Sequence, residues 1–230
     1  MSAVPEFANR RHLVLALTLA TGVMGIVGWS FRPDSNGGQP PGEVAAGPAN
    51  TSTSGPGCGP VLREPVGDAR DHIDAPISYA SAPPSFGDHN SRWEVRALTF
   101  YDVEDRPDVS VLVHNLEHGY NILWYDQAVL DDSRALAGVQ EVADGYATLG
   151  RERDPATAFI AAPWTADDGE AFPDGMHYAL THWYADPPAR SRADEVGLTR
   201  YCSGMSAEVV QDWMRAYPLR DAPEGYPDLM

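Results

Sequence analysis

The stretch from Val109 to Asp126 constrains this chain most, because apart from an N-terminal apolar run it is the least polar part of the sequence and has to be buried. Its apolar character breaks only at the polar knot His114-Asn115-Leu116-Glu117-His118-Gly119. Val109, Val111 and Val113 before the knot, and Tyr120 to Tyr125 after it, are mostly β-branched or aromatic, so the stretch is expected to fold as strand, knot, strand. Two imidazoles and a carboxylate would then sit where apolar walls end. The spacing His-x-x-Glu-His is that of the inverted zinc-hydrolase motif, in which both imidazoles hold the metal and the carboxylate polarises a water. That motif works on a helix. On a continuing strand His114, Leu116 and His118 would share one face and Glu117 the other, with a bend at Gly119 needed to reunite them. Two readings stay open: a metal site, or two histidines at the edge of the core hydrogen-bonded to a buried carboxylate.

Sixteen basic against thirty-three acidic side chains give a formal charge of −17. Such a surface repels phosphate backbones, and no Lys/Arg cluster outside the N-terminus overrides it, so nucleic acid is excluded as a partner. Acidity suits a solvated surface or the gathering of cations.

Leu13–Trp29 is an uncharged run of about seventeen apolar or small residues, at the short end of what spans a bilayer. Arg10 and Arg11 precede it and Asp34 follows, which places residues 1–12 in the cytoplasm and the rest outside. The expectation is a retained single-pass anchor over residues 13–30, because no small-x-small cleavage site follows the run. Residues 31–60 are rich in Pro, Gly, Ser, Thr and Ala and form a tether, which fully extended would reach about 90–100 Å. Residues 61–230 make one extracytoplasmic domain. In that oxidising setting the two cysteines, Cys58 and Cys202, are expected to be bridged.

Within the domain, Pro83-Pro84 stops any regular element and Gly87-Asp88 sets His89 on a turn, where it is either a third ligand or the cap of an Asx-type turn. Trp93–Tyr101 is expected to be a strand, followed by an acidic loop. Pro83-Pro84-Ser85-x-Gly87-x-His89 near a tryptophan, then Val113-His114-x-Leu116-Glu117-His118-Gly119, then Ala222-Pro223-Glu224, together resemble the bacterial domain-of-unknown-function family 3105. The similarity runs from about Cys58 to the C-terminus, with Phe86 and Tyr120 standing where the family pattern has small residues. The resemblance implies one N-terminal membrane segment, an extracytoplasmic domain, and a common site for His89 and the knot; it implies no substrate.

Asp132-Ser133 opens an amphipathic helix with Leu136, Val139, Val142, Ala143 and Tyr146 on one side. Thr157–Pro163 is an expected strand, as is His177–Tyr184, whose alternation turns His182 to the face that carries Tyr178 and Tyr184. Ser206 caps a last helix with an apolar stripe at Val209, Val210, Trp213, Met214 and Tyr217. The order of elements gives an α+β domain: a mostly antiparallel sheet with helices packed on one face. Its expected function is to bind a transition metal, zinc or copper, through His89, His114 and His118 with Glu117 as ligand or orienting acceptor. The alternatives are a metal-free interaction module that meets a protein partner in the cell envelope, and a metal-dependent hydrolase using the His-x-x-Glu-His residues.

Overall fold

The computed structural model describes residues 57–150, 158–185 and 192–225. A five-stranded sheet is built from β1 (Leu62–Pro65), β2 (Asn121–Tyr125), β3 (Phe159–Pro163), β4 (Tyr178–Tyr184) and β5 (Val196–Cys202), in the order β1-β5-β4-β2-β3. β1 pairs antiparallel with β5, β5 with β4 and β4 with β2, whereas β2 and β3 are parallel, with Trp124 opposite both Ala179 and Ala162. The expected mostly antiparallel sheet is therefore a mixed one. The cause is the connection: the chain between β2 and β3 passes through α2 (Gln127–Asp131) and α3 (Ser133–Gly150), and a helical crossover returns the next strand parallel.

The expectation of helices on a single face is also corrected. α1 (Val109–Glu117) packs its Leu112, Val113 and Leu116 with Ile122, Trp124, Ala179 and Trp183 on one face. On the other face, α3 and α4 (Ala207–Ala216) bring Val139, Ala143, Val210 and Trp213 against Leu123, Tyr125, Leu180 and Leu198. With both faces covered, every residue of β2 is buried, which is why its sequence shows an unbroken apolar run.

The knot itself is the larger correction. Val109–Glu117 is an α-helix, not a strand, and all seven residues from Val111 to Glu117 are buried. A helix enclosed on nearly every side has no solvated face, and its β-branched residues are placed by packing against the sheet rather than by intrinsic preference. Gly119 ends it at φ +90°, with its N–H on the Leu116 carbonyl; a Cβ there would run into the backbone carbonyl of Leu219.

Trp93–Tyr101 is irregular, with bends and turns, and is joined to the sheet by a bridge between Phe100 and Ala161 and by the Tyr125 hydroxyl, which donates to Tyr101 O at 2.6 Å. Side chains take the place of ladder partners. The Asn115 amide accepts from Glu94 N–H and donates to the Glu94 carbonyl, both at 3.0 Å, and the Tyr101 hydroxyl accepts from Leu98 N–H at 3.0 Å. Cys58 and Cys202 are disulfide-bonded across 144 residues, as expected. The expected membrane segment and nearly all of the tether lie outside the described residues, among which no helix is long and apolar enough to cross a membrane.

Candidate metal centre

On α1, His114 and Glu117 are three residues apart and so project from neighbouring positions of one helical face. They meet two histidines from the irregular region between β1 and α1. His72 and His89 lie on segments that run parallel to each other: His89 N–H donates to Asp71 O at 3.0 Å and Ile73 N–H to His89 O at 2.7 Å. The Asp88 carboxylate accepts from Asp71 N–H at 2.9 Å and locks the same pair. The rings of His72, His89 and His114 form a triangle with centroid separations of 4.7, 4.8 and 4.7 Å. One ligand atom from each ring and one carboxylate oxygen of Glu117 all lie within 4.8 Å of one another. His89, His114 and Glu117 are buried, while the side chain of His72 is half exposed, so the group opens to solvent on that side.

Backbone carbonyls fix the tautomers. His89 Nδ1 is 2.8 Å from Gly87 O and His114 Nδ1 is 2.7 Å from Asn90 O. A carbonyl oxygen only accepts, so each Nδ1 carries a hydrogen, and the lone pair of each neutral ring is on Nε2. His89 Nε2 is 3.0 Å from Glu117 Oε2, which is also 3.9 Å from His72 Nε2. Both His89 Nε2 and Glu117 Oε2 are buried, and neither has a hydrogen-bond partner besides the other. Two acceptors facing each other in a dry site are stabilised by a second proton on His89 or by a cation between them.

The other carboxylate oxygen is occupied. Arg70 Nη2 donates to Glu117 Oε1 at 2.5 Å and Arg70 Nη1 to Glu195 Oε1 at 2.6 Å, with the guanidinium 5.8 Å from the centroid of the Trp183 ring. Burial works to raise the Glu117 carboxyl, but the His89 imidazole and the Arg70 guanidinium outweigh it and hold the group down at about 2. Burial pushes the His114 imidazole down to about 4, against the pull of the Asn90 carbonyl and aided by the neighbouring His89 and His118 rings. At neutral pH His114 is therefore uncharged with its lone pair available.

Of the sequence candidates, His89, His114 and Glu117 come together, and His118 stands apart from them. It caps the C-terminus of α1, with its ring 4.1 Å from Trp93 and 5.0 Å from His114, and its Nε2 is 3.9 Å from Glu224 Oε2. The two imidazoles of the His-x-x-Glu-His spacing thus do not share one ligand group. His72, which sequence reasoning missed, takes part instead. It is an ordinary residue of the acid-rich Asp68–Asp74 segment, and only the pairing with His89 gives it a role. The prominent cavity, about 880 Å³, lies between α3 and α4 on the opposite face of the sheet, and none of these histidines lines it.

A family model described as a protein of unknown function (DUF3105) matches residues 72–227, more than half of the chain. No curated protein and no solved structure matches it.

Proposed function

The chain belongs to that family of proteins of unknown function (DUF3105), and we propose that it binds one divalent transition metal through Nε2 of His72, His89 and His114 and Oε2 of Glu117. The observation that carries this reading is the buried pair His89 Nε2 and Glu117 Oε2, 3.0 Å apart with no partner besides each other, whose group includes ligand atoms of two more imidazoles within 4.8 Å. Three imidazoles and one carboxylate suit zinc or copper(II); the carboxylate, a hard donor, disfavours copper(I). Backbone carbonyls on the far nitrogens orient the His89 and His114 rings, as is usual for metal-bound histidine. Glu117 fits the role of ligand better than that of a base: Arg70 holds one oxygen and the other points among the imidazoles. Binding or carriage of the ion is thus favoured over hydrolysis. In this proposal Leu13–Trp29 anchors the domain at the outer face of a membrane, a placement supported by the disulfide, which suits an oxidising compartment.

Titration calorimetry with zinc and with copper(II) tests the site. His72→Ala is the informative variant, because its side chain is half exposed and its removal leaves the core intact. We expect affinity to fall by about a hundredfold or more, given that loss of a mere orienting partner costs about 10–100-fold, with the melting temperature of the metal-free protein unchanged. Wild-type protein that binds neither metal at micromolar concentration would leave the metal-free interaction module as the account.

A further inference from the structure

His118 is too well placed to be idle, yet it lies outside the four-ligand group. Its ring is 5.0 Å from His114 at an interplanar angle of 14°, and Trp93 covers it at 4.1 Å. Beyond it is Glu224, whose side chain is 42% exposed against 10% for His118, so exposure falls steadily from Glu224 through His118 to buried His114. The 3.9 Å between His118 Nε2 and Glu224 Oε2 is too long for a hydrogen bond but close to the separation of two ligands on one ion. The pair is held in register by the backbone: Glu224 N–H donates to Glu117 O at 2.9 Å, and the chain at Gly119 and Gly225 packs so tightly on Leu219 that neither tolerates a Cβ.

We propose that His118 and Glu224 form a hand-off position, a weaker two-ligand cation site through which the metal passes to and from the group at His114. This rests on the metal reading of that group. A hand-off position lowers the barrier without touching either end state, so it changes loading and release in equal proportion and leaves the equilibrium affinity alone. A ligand of the final site would change the affinity instead.

The test is stopped-flow loading of the full chain with copper(II) chloride, followed by quenching of tryptophan fluorescence. Trp93 lies 4.1 Å from His118, and Trp183 lies 5.7 Å from His89. In His118→Gln and, separately, Glu224→Gln, loading and release are each expected to slow by about tenfold, the low end of what local charge contributes to association. Equilibrium affinity should equal that of wild type, whereas His114→Ala should lose it. Glu224→Gln, at a half-exposed position, keeps the test decisive if His118→Gln folds poorly. Wild-type loading rates in Glu224→Gln and His118→Gln would overturn the hand-off and show that the ion passes directly beside His72. Loss of affinity in His118→Gln as large as in His114→Ala would overturn it by making His118 a ligand. A wild-type chain that takes up no copper would refute the four-ligand site and the hand-off together.

Discussion

Three buried imidazoles, His89, His114 and His182, are explained by the carbonyl that faces Nδ1. His89 and His114 each give Nδ1–H to a carbonyl and aim Nε2 at a common space. His182 follows the same rule on the opposite face, where its Nδ1 donates to Tyr120 O at 3.3 Å and its Nε2 is buried without a partner, but among the described residues it belongs to no group of three or more metal-ligating side chains. Burial pushes its pKa from 6.5 to about 4, and the Tyr120 carbonyl opposes this only in part. Below pH 6.5 the unfolded chain takes up a proton that the folded one refuses, so this residue's contribution is fully present above 6.5 and is lost as pH falls toward 4. Thermal melts across that window should give a shallower decline for His182→Gln than for wild type. An unchanged slope would mean that His182 is charged in the fold. Residue identities at the centre were legible in the sequence because imidazoles and a carboxylate are rare inside apolar runs; His72 was not, since nothing within its own segment sets it apart from a surface histidine.

At the scale of elements, the sequence indicated those whose surroundings match their pattern. α3 and α4 each have one solvated side, and β4 alternates between two chemically distinct faces, so periodicity revealed all three. α1 has no solvated side, so its valines suggested a strand, and the same error hid the fact that His114 and Glu117 share a helical face. Trp93–Tyr101 misled for a different reason: Asn115 and Tyr101 satisfy its backbone with side chains, a choice no local pattern announces. The division of the helices between two faces also makes a prediction. Ser206 caps α4 by accepting from Val209 N–H, on the face away from the metal centre. Ser206→Ala should cost about 1 kcal/mol in urea unfolding while leaving metal affinity unchanged. A parallel loss of affinity would show that the two faces are coupled.

For the whole molecule, the disulfide and the histidine cluster hold different things. The disulfide joins the first described residues to the end of β5 and, by loop closure over 144 residues, contributes about 4–5 kcal/mol in the chain-entropy model. The cluster of three imidazoles and Glu117 joins α1 to the irregular region after β1, which contributes both Arg70 and His72. A region that long without helix or strand is uncommon unless something functional orders it, and the ion of the proposed function would supply that order. The most direct measurement is a crystal structure of the domain grown with zinc and recorded across the zinc absorption edge. The account predicts one anomalous peak about 2.0–2.2 Å from Nε2 of His72, His89 and His114 and from Oε2 of Glu117. A fully ordered triangle of imidazoles with no peak between them, or a peak held by other residues alone, would contradict it.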